Sequence, residues 1–182
     1  MEGEEGGKVK TRSDWREIDL ATAGFGQGVA VTPLQMANAF ATIANGGVLM
    51  KPYVVEKIVS HDGKVVEFGP EPKGRAVSPE TAETVAEMLL AAVEGGEARR
   101  YISKQYRIAG KTGTAQIPVE GGYDPNKTEV TFVGFPPAGR QFVMLIRLTK
   151  PTTSTYSADT VVPLWTEAVE EIAPLFGMQP DK

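Results

Sequence analysis

A chain of 182 residues with 41% hydrophobic content is long enough for one domain with a sizeable core, and a net charge of −4 with 23% charged residues is ordinary for a globular protein. That mild acidity argues against nucleic acid as the main partner, because no dense Lys/Arg stripe is present to neutralise phosphates. The absence of cysteine excludes disulfides, thiol catalysis and Cys-bound zinc, and a single histidine leaves no ordinary metal cluster.

Residues 1–18 are rich in Gly, Glu and Lys and read as a loop; the opening "MEGEEGGKVK" is polar and acidic where a signal peptide would be basic and then apolar. Leu20 to Met50 is the longest uncharged stretch and has the length of a membrane span. Gly, Pro, Asn, Gln and Thr interrupt it, so it reads as a buried loop and a core helix. Thr32 suits an N-cap, Pro33 the first helical position, and Gln35 completes a capping box. The predicted helix runs to Asn45, with Gly46 as a left-handed stop. Met36, Phe40 and Ile43 share one face and Ala37, Ala41 and Ala44 another, with no charge, the pattern of a helix inside a larger protein.

"YVVEKIVS" and "KVVEF", joined by "HDG", predict a β-hairpin from Tyr53 to Phe68. His61 falls in its turn, so a Ser-His-Asp triad would have to run through that turn. After the connector "GPEPKGR", Ser78 as N-cap and Pro79 open a second helix through Val85, Met88, Leu89 and Val93 to Gly95. Three strands are expected next: "YRIAGKTGTAQI", "TEVTFVGF" and "RQFVMLIRLTK". The linker "PVEGGYDPNK" reads as a mobile flap, and "PPAG" as a tight antiparallel connection. A last helix is expected from about Thr160 to Phe176, with Val161, Trp165, Ala168, Val169 and Ile172 on one side and Pro163 near its first turn.

The stretch "RIAGKTGTAQ" carries the chemistry. A phosphate loop would need a glycine where Gln105 stands and a helix beginning at Lys111, and "GTAQIPVEGG" is no helix. An exposed Thr/Gly strand is the plain structural reading. A Lys-Thr-Gly strand is also a part of serine acyl-transfer enzymes that use Ser-x-x-Lys. There a cation attracts an anionic substrate and hydroxyls bind its carboxylate. Lys111 and Gly113 share one strand face and Thr112 and Thr114 the other, so a twist or bulge is needed if all are to serve one site. Gly113 would let a substrate backbone approach, and a backbone N–H there could stabilise an oxyanion, worth on the order of 10²–10³ in rate.

"IDLATAGFGQGVAVTPLQMANAFATIANGG" (residues 18–47), "YRIAGKTGTAQ", "TFVGFPPAGRQFVMLI" and the C-terminal "YSADTVVPLWTEAVEEI" together closely resemble the transpeptidase domain of class B penicillin-binding proteins. The resemblance implies an α+β chain: residues 1–182 as the C-terminal part of the penicillin-binding protein/serine β-lactamase-like fold, with the last three antiparallel strands of its main sheet and flanking helices. It implies that Lys111, Thr112, Gly113 and Thr114 bind substrate, that Lys111 shapes the electrostatics, and that the Thr114 backbone N–H forms half of an oxyanion hole. The implied partners are the D-Ala-D-Ala stem peptide of peptidoglycan and β-lactams. No metal or organic cofactor is implied. The implied location is the extracytoplasmic face of the bacterial cytoplasmic membrane, through an anchor outside this chain. The "FGQG" loop and the Thr32 helix take a buttressing role, and the loop from Pro118 to Thr128 overhangs the cleft.

Two family motifs are missing. Three residues beyond Ser13, Ser60, Ser78, Ser103, Ser154 and Ser157 stand Arg16, Gly63, Thr81, Tyr106, Ser157 and Thr160, so Ser-x-x-Lys is absent. Two residues beyond them stand Trp15, Asp62, Glu80, Gln105, Tyr156 and Asp159, so Ser-x-Asn is absent as well. The chain therefore reads as part of a D,D-transpeptidase domain that lacks the nucleophile and is inactive in isolation. The alternatives are a non-catalytic peptide- or protein-binding module on the same fold, and a D,D-carboxypeptidase or β-lactamase, which "FGQG…VTPLQ" disfavours.

Overall fold

The computed structural model describes residues 3–182, so positions 1–2 of the expected N-terminal loop lie outside the described residues. Its helices are α1 (Glu17–Ala23), α2 (Pro33–Ala44), α3 (Pro79–Gly95) and α4 (Ser157–Ile172). Its strands are β1 (Val48–Met50), β2 (Lys57–Val59), β3 (Val65–Glu67), β4 (Pro72–Arg75), β5 (Ala109–Val119), β6 (Gly122–Phe135) and β7 (Met144–Thr149). The main sheet is an antiparallel meander in the order β5-β6-β7; β1 pairs with β4 and β2 with β3.

Local capping starts the two central helices where the sequence places them. The Thr32 hydroxyl oxygen accepts from the Gln35 N–H at 3.0 Å, and Gln35 Oε1 accepts from the Thr32 N–H at 2.9 Å. Gly46 follows α2 at φ 59°, a conformation that costs glycine little. Ser78 caps α3 by accepting from the Thr81 N–H at 3.2 Å, and Pro79 takes the first turn, where no N–H is needed.

Side-chain alternation along β6 then puts helices on both faces of the sheet. Val130 and Phe132 face α4, packing with Val161, Trp165 and Val169, while Ile108 and Val93 extend that core. The Phe132 and Trp165 rings meet edge to face, with centroids 5.1 Å apart at 79°. Trp165 Nε1 donates to the Met144 carbonyl at 3.0 Å, satisfying the one polar atom of a fully buried ring. On the other face Phe135 and Ala109 pack with Ala86 of α3, and Phe40, Ile43 and Leu89 close over them. Burying side chains of this size contributes roughly 1.5–3 kcal/mol each, so these two clusters hold the sheet between its helices.

Several expectations are corrected. The short helix α1 forms inside the stretch read as loop, and Leu20 and Phe25, expected to be buried, are 69% and 71% exposed. Part of the connector "GPEPKGR" is strand β4. Met88 turns outward at 64% exposure, and small Ala82 and Ala86 join the expected Val93 on the buried face of α3. The linker between the first two long strands is an extension of the β5/β6 hairpin, with Val119 paired to Gly122. Its ladder survives the Pro and Gly content because Pro125, Asn126 and Lys127 loop out between the Gln116–Thr128 and Ile117–Asp124 pairs. The last helix starts at Ser157 rather than Thr160, which puts Pro163 in its second turn.

Candidate active site

Lys111, Thr112, Gly113 and Thr114 lie consecutively on β5, which among the described residues is an edge strand of the main sheet. Their partners on β6 are Val133, Phe132, Thr131 and Val130, and the register is unbroken until Gln116. The bulge that would gather Lys111 and both threonines on one face is therefore not there. Thr112 and Thr114 stand opposite Phe132 and Val130, on the α4 face. Lys111 and Gly113 belong to the other face. The Lys111 ammonium reaches around, however, and donates to the Thr112 carbonyl at 3.0 Å. An exposed cation thus lies along the strand edge, next to the backbone of the first threonine.

Gly113 has a structural reason in addition to the one expected. A Cβ there would stand 2.5 Å from the Thr131 Oγ1, so the pairing strand already occupies the space that a side chain would need. Gly110 is hemmed in likewise, since its Cβ would lie 2.7 Å from the Phe132 ring. A cavity of about 230 Å³ opens beside this end of the strand, lined by Lys111, Thr112, Gly110, Glu97 and Phe132 among others. A larger groove of about 460 Å³ lies away from the motif, between α2, β1 and the approach to β7.

The residue that sequence reasoning missed is Ser157. It is 2% exposed, opens α4, and sits 43 residues from the motif along the chain. Its hydroxyl is 2.6 Å from the Thr114 hydroxyl and donates to the Gly113 carbonyl, while its N–H reaches the Thr114 Oγ1 at 3.4 Å. Tyr156, the N-cap of α4, makes no side-chain cap bond, so Thr114 supplies an oxygen to the helix start from across the structure. The preceding loop is tied down by the buried Thr128, whose hydroxyl donates to the Thr155 carbonyl at 2.9 Å. The sequence carried no signal for it, since Ser157 precedes the helix expected from about Thr160 and its partner Thr114 lies 43 residues away.

Further along β6 from Phe135, Glu129 accepts from Arg147 Nε at 2.5 Å and from the Thr149 hydroxyl at 3.2 Å. Burial alone would raise the Glu129 carboxyl, but these bonds and the Arg147 charge outweigh it and hold the group below its ordinary value. In the hairpin extension, the Asp124 carboxyl is lowered by the Asn126 N–H first and by Lys127 next. Among the described residues, no serine hydroxyl meets a lysine ammonium or the His61 ring; Ser103 donates to Glu170 at 2.6 Å and Ser78 caps α3. Nor do the described residues place three or more His, Cys, Asp or Glu together to hold a metal ion. No described helix is long and apolar enough to cross a membrane.

The family model of the penicillin binding protein transpeptidase domain matches residues 1–168. The chain belongs to this family. It is 32% identical over 169 residues to stage V sporulation protein D of Bacillus subtilis, covering 91% of this chain and 26% of that relative. Over 148 residues it is 35% identical to the penicillin-binding protein PbpB of Mycolicibacterium smegmatis, covering 76% of this chain and 23% of the relative. Among solved structures, penicillin binding protein 3 of Mycobacterium tuberculosis superposes with a TM-score of 0.85 at 30% identity, over 100% of this chain and 43% of that one. The same protein has been solved in complex with aztreonam and with ampicillin. The chain thus spans about a quarter of the two curated relatives and under half of that solved chain. The α+β architecture with its three-stranded β5-β6-β7 sheet is that of the penicillin-binding transpeptidase fold.

Proposed function

We propose that residues 1–182 act as the C-terminal part of a peptidoglycan D,D-transpeptidase domain, which cross-links stem peptides by serine acyl transfer. In this reading the chain supplies the strand that binds the D-Ala-D-Ala terminus or a β-lactam, and the nucleophilic serine comes from outside these residues. Lys111 provides the positive potential for the substrate carboxylate, Thr112 and Thr114 flank it, and Gly113 keeps the strand slim. The Thr114 backbone N–H is one oxyanion donor. Catalysis would take place on the extracytoplasmic face of the cytoplasmic membrane. The observation that carries the reading is the Lys-Thr-Gly-Thr run on an edge strand beside a cavity, within a chain of the transpeptidase family. Relatives named as peptidoglycan D,D-transpeptidases support it; the PenA proteins of Neisseria match over 99% of this chain.

The test is intact mass after incubation with a penicillin, with the chain alone and with a Ser-x-x-Lys-bearing half of a transpeptidase domain added. The expected outcome is no adduct on the chain alone and an adduct on the added half only when both are present. An adduct on the 182-residue chain alone would reveal a nucleophile within it. No adduct in the assembled pair would turn the reading towards a non-catalytic binding module.

A further inference from the structure

The cavity of about 230 Å³ beside the start of β5 carries opposite charges on one lining, and they do not close on each other. Lys111 lines it from the strand; its ammonium donates one proton to the Thr112 carbonyl at 3.0 Å and has two more to give. Glu97 lines it from the 3₁₀ turn Glu97–Arg100 that follows α3. Among the described residues the Glu97 carboxylate makes no hydrogen bond or ion pair. Arg99 and Arg100, later in that turn, do not line the cavity, so Lys111 is the one cation among its described lining residues. Ala92, Val93 and Phe132 add an apolar wall. A cation and an anion held apart in one small, partly apolar space match a small zwitterion, its carboxylate on Lys111, its ammonium on Glu97 and a short side chain against the wall. Against about 30 Å³ for one water, the space suits a single small amino acid and no longer peptide. We infer that this cavity is a subsite for a free zwitterionic amino acid, the D-alanine that acyl transfer releases, and that Glu97 selects its ammonium.

This rests on the reading of β5 as the strand that binds the D-Ala-D-Ala terminus. In that reaction the C–N bond of the terminal peptide breaks, the acyl carbon passes to the serine oxygen, and the serine proton goes to the departing nitrogen. A second proton, from water, makes the released amine an ammonium. Before cleavage the nitrogen is an uncharged amide N–H, and Glu97 has little hold on it. After cleavage it carries a full charge, and a carboxylate that has no other partner attracts it. Glu97 thereby binds the released amino acid and not the donor peptide, while the carboxylate of either is served by Lys111.

The experiment uses the complete domain, assembled from this chain and the Ser-x-x-Lys-bearing half, and titrates it with D-alanine and with D-lactate, which has a hydroxyl where D-alanine has its ammonium. Ligand-observed NMR reads both affinities without any turnover. D-alanine should bind the wild type about fivefold tighter than D-lactate. Glu97→Gln, which keeps the shape and removes the charge, should bring D-alanine down to the level of D-lactate and leave D-lactate where it was. Ala92→Leu, which narrows the apolar wall, should weaken both. Equal affinities in the wild type overturn the inference, as does a preference for D-alanine that survives Glu97→Gln. Binding untouched by Ala92→Leu also overturns it, because the ligand then sits elsewhere. The penicillin adduct, measured on the same wild-type sample, separates the two readings. An adduct with D-alanine and D-lactate bound alike upholds the transpeptidase reading and sinks the subsite. A Glu97-dependent preference for D-alanine with no adduct upholds the subsite and counts against the transpeptidase reading.

Discussion

A Cβ on Gly113 would stand only 2.5 Å from the Thr131 hydroxyl oxygen, so the glycine of the motif is demanded by its own sheet as well as by any ligand. Gly113→Ala therefore forces Thr131 off its rotamer or moves β5 away from β6. The expected cost is about 1–2 kcal/mol, and Thr131→Ala in the same chain should recover most of it. Urea unfolding of the two single variants and the double variant checks this. A loss that Thr131→Ala does not relieve would mean that the glycine is needed for another reason.

The same residue pair shows where the sequence was legible and where it was not. The position of Lys111 to Thr114 on a strand could be read from the motif and the change of period. So could α2 and α3, because Thr32–Gln35 and Ser78–Thr81 are capping contacts within one turn. The helix α1 could not, since Arg16 at its N-cap is not a capping type; the Asp19 carboxylate accepts from the Arg16 N–H at 3.0 Å instead. The flap was misread because Gly121, Gly122 and Pro125 signal a loop, whereas a short loop-out lets the hairpin continue past them. Leu20 and Phe25 were misplaced because hydropathy records a preference for cover and says nothing of whether the chain supplies it. The Ser157–Thr114 contact spans 43 residues and has no local signature at all.

Trp165 joins α4 to the sheet in two separable ways, an edge-to-face ring contact with Phe132 and a hydrogen bond to the Met144 carbonyl. Trp165→Phe should keep most of the ring burial and lose the bond, costing about 1–2 kcal/mol. Trp165→Ala should cost about 3–5 kcal/mol, since a fully buried indole leaves a large cavity between α4 and β6. Denaturant unfolding followed by far-UV circular dichroism measures both. Equal losses for the two variants would show that the hydrogen bond, not the packing, dominates.

The Glu129–Arg147 pair predicts a pH response with a definite sign. The Glu129 carboxyl is held below its ordinary value in the folded chain, so it binds protons less readily there than in the unfolded chain. Its contribution is present above the ordinary glutamate range of about 4.3 and is lost as pH falls through the folded value. Arg147 is half exposed, which limits the contribution to below about 1 kcal/mol. Unfolding free energies between pH 6 and pH 3 should fall less steeply in Glu129→Gln than in the wild type. Parallel curves would show that the pair is fully screened.

The free edge of β7 bears on how the chain behaves alone. Among the described residues β7 pairs only with β6, so its outer backbone donors and acceptors have no strand beside them. Leu145, Ile146 and Leu148 on this strand are only half covered, and the groove beside α2 adds further apolar surface near the same edge. An open apolar edge favours pairing with another chain, and its burial contributes roughly 25 cal/mol per Å² of apolar area removed from water. The 182-residue chain by itself should therefore sediment as oligomers or precipitate. Adding the half of a transpeptidase domain that carries the other strands should convert it to a single one-to-one species. Analytical ultracentrifugation distinguishes the cases, and a charge on the edge strand at Leu145, which joins neither core cluster, as in Leu145→Lys, should reduce self-association while weakening capture of the added half. A monodisperse monomer that unfolds cooperatively without any partner would show that the β7 edge needs no cover, and would count heavily against a chain that completes its sheet with strands from elsewhere.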